Sequence, residues 1–417
     1  VSRRVLRWRS PIRGPWLTSM FALPLLVGLP VVALTGLLDR LAYGRSQAIP
    51  DADAVGGLQL PWWEWPVSPS WLFRLTEGLH VVLGIVLVPM VLAKLWSVIP
   101  KLFTAPPRNP VRLLERLTLV PLVGSILFLI VTGLLNTQYD YVFGFSFYDG
   151  HYAAAWVFMA SFALHVVLKL PTVVRSLRSR SLRAELRTPL AATRPEEGPD
   201  ELVAPDPDPP TVSRRGALAL AGGGMLFVAA LTVGQVTDRF RATALLLPRG
   251  RTTDPAATER GGPNDFPVNR TFVASGIAPD AVGDGWALEL TGGDAPVVLD
   301  RAALLALPQH TAELPIACVE GWSTLQTWTG VRLADLARAA GVPGPGGATV
   351  GSVEAAGPFT RSELGRAQVL AGDSLLALRV NGADLSRDHG FPARLIVPAL
   401  PGVHNTKWVA TIRFRRG

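Results

Sequence analysis

The chain has 417 residues, of which 49% are hydrophobic and only 17% charged, and its mean hydropathy is +0.30. A soluble globular protein carries about 25% charged residues, so the composition argues against a wholly soluble chain, and the length leaves room for two or more domains. The net charge of +8 does not read as nucleic-acid binding, because the basic residues stand in short blocks beside apolar runs, the placement that membrane insertion produces.

Five segments approach or exceed the roughly 20 apolar residues that a bilayer crossing needs: 15–38, 71–96, 117–135, 152–174 and 217–236. Arg3, Arg4, Arg7, Arg9 and Arg13 precede the first. Lys101, Arg108, Arg112 and Arg116 follow the second, and Arg175, Arg178, Arg180, Arg183 and Arg187 follow the fourth. The stretch 39–70 has only Arg40 and Arg45, and 136–150 has no Lys or Arg. This bias predicts a multi-pass protein of the bacterial cytoplasmic membrane with its N-terminus in the cytoplasm and everything after Val236 outside. Trp62, Trp63 and Trp65 read as an outer interfacial belt. The predicted organisation is a four-helix membrane bundle over 1–187, a disordered cytoplasmic linker over 188–212 rich in Pro, Asp and Glu, a fifth helix over 213–236, an extracytoplasmic tether over 237–264 and a globular domain over 265–417.

The bundle repeats itself. Pro24 and Thr35-Gly36-Leu37-Leu38 in the first span match Pro121 and Thr132-Gly133-Leu134-Leu135 in the third. Leu79-His80-Val81-Val82-Leu83 in the second matches Leu164-His165-Val166-Val167-Leu168 in the fourth. Trp71 and Trp156 each stand nine residues before their histidine, which puts both imidazoles roughly 13 Å below the tryptophans. Two histidines at one depth on parallel helices suit axial ligation of one haem iron. They also suit hydrogen bonding between spans. The arrangement resembles bacterial cytochrome b561-like and hydrogenase or formate-dehydrogenase cytochrome b subunits, which implies one haem b on His80 and His165. His151, at the outer edge, is a candidate alternate ligand or proton group.

Ser213-Arg214-Arg215-Gly216-Ala217-Leu218 resembles a twin-arginine export signal, although paired arginines also satisfy the positive-inside rule. That pathway carries folded proteins, so the resemblance implies the twin-arginine machinery as a partner and a cofactor inserted before export into the domain that follows.

Cys318 is the only cysteine, so it is buried filler, a reactive thiol or a single metal ligand. It stands in Leu314-Pro315-Ile316-Ala317-Cys318-Val319-Glu320-Gly321-Trp322-Ser323, followed by Trp328-Thr329-Gly330-Val331-Arg332-Leu333. Asn381-Gly382, Asp388-His389-Gly390-Phe391-Pro392-Ala393-Arg394-Leu395-Ile396-Val397-Pro398 and Lys407-Trp408-Val409 come later. These strings, over about 265–414, resemble the molybdenum-cysteine region and second signature of the sulfite oxidase superfamily, nearest its methionine-sulfoxide-reductase-type branch. The resemblance implies an α+β domain that binds molybdenum-molybdopterin. Cys318 would be the metal ligand, a soft thiolate suited to molybdenum. His389, Arg394 and Lys407, with Asn269 and Arg270, would hold the pterin and its phosphate. Glu320 is a candidate for protonating an oxo ligand or substrate, or for orienting the loop.

Taken together these readings predict a membrane-bound oxidoreductase that transfers an oxygen atom outside the cytoplasmic membrane. Its haem would pass electrons between the molybdenum and a quinone or other membrane carrier, to reduce a small-molecule S- or N-oxide. Sulfite-type oxidation with electrons passed inward is the alternative enzyme, and a membrane-anchored binding or sensing module the alternative class. Local patterns predict strands over 286–290, 296–299 and 395–397 and helices over 301–307 and 333–340.

Overall fold

Long apolar runs whose backbone must satisfy its own hydrogen bonds form helices. In this computed structural model they are α1 Pro15–Tyr43, α2 Leu72–Val86, α3 Val88–Leu102, α4 Pro110–Thr137 and α5 Phe147–Ser179, followed by the short α6 Leu182–Arg187 and by α7 Arg214–Val236. The structure describes residues 9–44, 64–102, 110–137, 143–196, 202–204, 206–245, 261–356 and 360–417. Arg3, Arg4, Arg7, Arg45, Arg108, Trp62 and Trp63, and most of the 237–264 tether, lie outside them.

Among the described residues four helices are long and apolar enough to cross a membrane, or five when α2 and α3 count as one broken span. The second span is therefore not one straight helix. It bends by 40° between Val86 and Val88. Pro89 sits just past the bend and has no N–H to return to the Ile85 carbonyl, which interrupts the ladder there. Val27, Val120, Val167, Leu220 and Leu226 are exposed on these helices, the surface that a lipid environment would cover.

The chain divides into two compact units. One comprises Val1–Ala33, Val82–Leu135 and Gly150–Thr232. Its core gathers Trp16, Leu17, Phe21 and Leu25 of α1, Leu87, Met90 and Val91 at the bend, Phe158 of α5 and Ala221 of α7. Residues 188–196, expected as disordered linker, are folded. They include a 3₁₀ turn at Leu190–Ala192, and the Glu196 carboxylate accepts from the Trp16 and Leu17 backbone N–H groups at 3.0 and 3.4 Å. A carboxylate there satisfies donors that the start of α1 cannot satisfy internally.

The other unit joins Leu34–Val81 and Asn136–Asp149 to Val233–Gly417. Its folded body holds α8 Phe272–Ser275, α9 Arg301–Ala306, α10 Leu333–Ala339 and α11 Arg366–Leu370. Among the described residues ten strands run through it: β1 Ala287–Thr291, β2 Val297–Asp300, β3 His310–Ala317, β4 Ser323–Arg332, β5 Pro345–Ser352, β6 Arg361–Gly365, β7 Leu375–Val380, β8 Ala383–Asp384, β9 Arg394–Ile396 and β10 Val409–Arg416. One sheet has the order β2-β1-β10-β5-β6; the other has β3-β4-β7-β8, with β9 also on β7. All pairs are antiparallel except β1 with β10. Inward residues of both sheets share one core, with Leu288 and Leu290 of β1, Val350 of β5, Leu376 of β7 and Ile412 of β10 among them. The domain is α+β, as expected. The locally patterned β1, β2, β9, α9 and α10 fall within a residue or two of their predicted spans.

Helix ends belong to the same core. Leu41, Ala42 and Tyr43 of α1 and Phe73 of α2 are buried in it. So is Trp65, whose indole N–H donates to the Ala399 carbonyl at 2.8 Å. Trp65 is thus a packing residue of the sheet domain rather than part of an interfacial belt. Trp65→Phe strands a buried carbonyl, which costs about 1–3 kcal/mol. We expect a lower melting temperature for the detergent-solubilised variant; an unchanged one would return Trp65 to the lipid interface.

Candidate active site

Strands β3 and β4 pair in register down to Ala317 opposite Ser323, so residues 318–322 must turn within one hairpin loop. Cys318 N–H donates to the Trp322 carbonyl and Gly321 N–H to the Cys318 carbonyl, both at 2.9 Å. Gly321 has φ +78, in the left-handed region that glycine enters without a Cβ penalty. A Cβ there would lie 2.3 Å from Val81 Cγ1. The loop is therefore closed by backbone hydrogen bonds, and its thiol is fixed in a buried position.

Side chains of the same unit grip this loop from outside. Arg74 Nε donates to Ser323 Oγ at 3.1 Å and its Nη2 to the Val236 carbonyl at 2.6 Å. Arg241 Nη2 donates to the Ser323 carbonyl at 2.5 Å. Asp238 Oδ2 accepts from Leu325 N–H at 3.0 Å, and Asn136 Nδ2 donates to the Val319 carbonyl at 3.5 Å. Arg74, Asp238 and Arg241 were not singled out from sequence, because each is an ordinary charge until the fold brings it to the loop.

Arg394 and Lys407 lie within electrostatic reach of Cys318, and the other predicted cofactor residues are tied to these two. Ser386 caps the turn Arg387–His389, and Gly390 follows in the left-handed region at φ +108. A Cβ on Gly390 would press on both Lys407 and Arg394 at 3.1–3.2 Å. His389 is buried, stacks on Phe266 with centroids 3.6 Å apart, and shares a 3.0 Å hydrogen bond between Nε2 and the Asn264 carbonyl. A carbonyl only accepts, so the proton is on Nε2 and the lone pair on Nδ1. Arg394 Nη1 donates to the His389 carbonyl at 3.2 Å. Lys407 Nζ donates to the Arg270 and Asp388 carbonyls at 2.8 Å each, tying together the two segments named from sequence. Arg270 Nη2 lies 2.5 Å from Glu354 Oε1, and Asn269 Oδ1 accepts from Arg270 N–H at 2.9 Å. Asn269 thus organises its own turn.

Burial dominates the electrostatics. It pushes the Cys318 thiol well up, with Glu320 adding to the shift, and raises Glu320 itself. It lowers Arg394 to about 9. Lys407 falls well below its ordinary value through burial and then Arg394. His389 does so through burial, then Lys407 and Arg394. Several cationic groups held together out of water are unfavourable unless an anion joins them. His389 Nδ1, Arg394 Nε, Trp322 Nε1 and Glu320 Oε2 are all buried without a hydrogen-bond partner, the condition that a bound polar ligand relieves. Arg394 Nε and Trp322 Nε1 donate while His389 Nδ1 and Glu320 Oε2 accept, a mixed set that with the Arg394 and Lys407 charges fits a polar, anionic pyranopterin, and Cys318 fits its metal, which would displace the thiol proton on binding.

Comparison with known proteins agrees. Residues 275–417 match the family described as "Oxidoreductase molybdopterin binding domain". The C-terminal region is a molybdopterin-binding oxidoreductase domain of the sulfite oxidase type. The chain is 37% identical to the uncharacterized oxidoreductase YuiH of Bacillus subtilis over 133 residues, 31% of this chain and 66% of that protein. It is 33% identical to the mitochondrial sulfite oxidase of Drosophila melanogaster over 155 residues, 31% of this chain and 27% of that one. The sulfane dehydrogenase SoxCD of Paracoccus pantotrophus aligns with TM-score 0.30 and 24% identity over 32% of this chain and 39% of that chain, too slight a likeness to bear on the fold.

His80 lies in the second unit and His165 in the first, both half-buried. His80 rests on Gly36 of the repeated Thr-Gly pair, where a Cβ would come within 2.5 Å of its Cε1. The other Thr-Gly pair meets His151 instead. Gly133 faces His151 Cε1, and Thr132 Oγ1 lies 3.0 Å from His151 Nδ1. Thr132 Oγ1 donates to the Phe128 carbonyl at 2.8 Å, so it accepts from Nδ1–H and the lone pair is on Nε2. Arg214, the first arginine of the Ser213-Arg214-Arg215 string, has a structural role. Arg214 is buried between Glu185 and Glu196, at 3.5 and 3.8 Å.

His404, missed from sequence, is buried with Nε2 2.9 Å from the Tyr43 carbonyl, and burial lowers its pKa. His389 and His404 are therefore neutral in the fold. Below about pH 6.5 the unfolded chain binds protons that the folded chain refuses, so stability is lost as pH falls through that value. We expect the melting temperature of the solubilised protein to drop between about pH 7.5 and 5.5, and His404→Gln to flatten the slope. An equal slope in the variant would contradict the assignment.

Proposed function

We propose that the protein is a membrane-bound molybdenum oxidoreductase that transfers an oxygen atom outside the bacterial cytoplasmic membrane and works in the direction of reducing an S- or N-oxide. Haem b would pass electrons to the molybdenum from a quinone or other membrane carrier. The observation that carries this reading is the fixed Cys318 thiol beside the buried cations Arg394 and Lys407. Cys318 would ligate the metal, Arg394 would face the cofactor's anionic part, and His389 would offer Nδ1 as an acceptor. Lys407 would hold the Arg270 and Asp388 segments in register around it. When bound, the molybdenum centre supplies two-electron oxygen-atom exchange. Around it the chain's own residues exclude water, for Cys318, Glu320 and Trp322 are all buried.

The membrane reading is supported by the four or five long apolar helices and the arginine bias of the connecting segments. His80 and His165 are the residues that would hold the haem, and the glycine at Gly36 leaves space for the His80 ring against α1. His151, with its Nδ1–H engaged, has the second-atom hydrogen bond that orients a metal-binding imidazole and is the alternate. Export by the twin-arginine machinery is supported by the Ser213-Arg214-Arg215 string.

Metal analysis and a dithionite-reduced visible spectrum of protein purified from membranes test the reading. We expect bound molybdenum, and a low-spin haem spectrum lost in His80→Ala and in His165→Ala but kept in His151→Ala. Protein without molybdenum would refute the enzyme; loss of the spectrum in His151→Ala with retention in His165→Ala would reassign the second ligand.

A further inference from the structure

The groups around the Cys318 loop fall into two chemical sets. The basic set, Arg394, Lys407, His389 and Arg270, comes from the sheet domain. The second set comes from helix ends of the same compact unit and consists of phenols and carboxylates: Asp39 and Tyr43 of α1, Glu77 of α2 and Tyr148 of α5.

Contacts hold this second set at the loop. The Tyr43 carbonyl is the partner of His404 Nε2, and Gly402, two residues earlier, abuts the Ala317 carbonyl so closely that a Cβ would lie 2.8 Å from it. The Tyr43 ring meets Phe73 edge-on at 5.8 Å and Tyr148 at 6.0 Å. Val81, one helical turn beyond Glu77, fills the space a Cβ on Gly321 would need. Tyr43 and Ala317 belong to one buried cluster, and Tyr148 and Val319 pack against it. Within the group, Glu320 Oε2 and Trp322 Nε1 are more than nine-tenths buried and lack partners, so a ligand is called for on the loop itself.

We propose that Tyr43, Glu77 and Tyr148 form the substrate-contacting wall at the Cys318 loop and select uncharged oxides against oxyanions. The inference rests on the molybdenum reading above. A phenol or carboxylic acid offers an O–H donor to the oxygen of a sulfoxide or amine N-oxide. Ionised carboxylates would repel sulfite or nitrate, and protonated ones add no positive charge, so neither state of Asp39, Glu77 or Glu320 attracts an anion. Arg74 is engaged by Ser323, Val236 and Asp238. Arg241 is engaged by Gln235, Asp238 and Ser323, and Arg40 donates to the Gly44 carbonyl. Arg394 and Lys407 belong to the cofactor set. In the reaction served, the S–O or N–O bond breaks, a membrane quinol gives up two electrons and two protons to become the quinone, and the oxide oxygen leaves as water with the sulfide or amine.

The test uses the full-length purified holoenzyme with dimethyl sulfoxide and trimethylamine N-oxide as uncharged probes and sulfite and nitrate as anions. We expect turnover of the oxides in preference to the anions. Tyr43→Phe and Tyr148→Phe should each raise the oxide KM about tenfold, the loss of one hydrogen bond, at unchanged molybdenum content and melting temperature. A readout other than turnover is the Mo(V) electron paramagnetic resonance spectrum, which dimethyl sulfoxide should perturb in the wild type and not in Tyr148→Phe. Should Tyr43→Phe not fold, Glu77→Leu, which removes the donor, carries the same expectation for KM. Molybdenum-replete protein that prefers an anion, or variants with unaltered KM and an unaltered dimethyl sulfoxide response, would overturn the wall. Wild-type protein lacking molybdenum would overturn the parent reading and this inference with it.

Discussion

The arrangement depends on how the loop 318–322 closes. The pairing of β3 with β4 runs to its last possible partners, Ala317 and Ser323, and the hydrogen bonds from Cys318 N–H and Gly321 N–H then fix the backbone. Only a residue tolerant of positive φ and lacking a Cβ fits at Gly321, because Val81 stands where the side chain would be. The backbone that carries the thiol is therefore held by two neighbouring strands, which is the condition for a single preorganised metal ligand.

Charge is distributed around that fixed point in a way that isolated domain folding would not favour. Arg394, Lys407 and His389 are buried together, and each depresses the basicity of the others or suffers burial outright. Such a set is destabilising until an anion completes it. The helix ends bring the opposite chemistry, phenols and carboxylates, to the same loop. The unit that surrounds Cys318 is thus not the C-terminal domain alone. It includes Leu34–Val81 and Asn136–Asp149, so the residues that would anchor the chain in a membrane also shape the site.

Much of this was legible from sequence wherever one segment carries its own pattern. The apolar runs gave the helices, and the strings around Cys318 and His389 gave the residues proposed to hold the cofactor. Only β1, β2 and β9 were foreseen among the strands; β3 to β8 and β10 were not, and in β5 Pro345, Gly346 and Gly347 mimic a loop. The break at Pro89 was hidden inside a continuous hydrophobic stretch. Trp65 misled because an aromatic beside a predicted span has two destinations, lipid interface or protein core, and only the Ala399 carbonyl decides between them. Linker residue Glu196 misled similarly, its acidity marking a helix cap rather than disorder. Glu77 is the one carboxylate inside the five predicted spans. That was a usable signal, because an ionisable residue in such a run is a functional candidate by default. Tyr43, Tyr148 and Arg74 carried no such mark and needed the fold.

The central claim is that Cys318 ligates the metal of a molybdopterin centre. X-ray absorption at the molybdenum edge tests it most directly, on wild type and Cys318→Ser purified in parallel. The account predicts that the variant retains molybdenum through the cofactor but loses one sulfur from the metal's coordination shell. An identical sulfur count in the two proteins would contradict it.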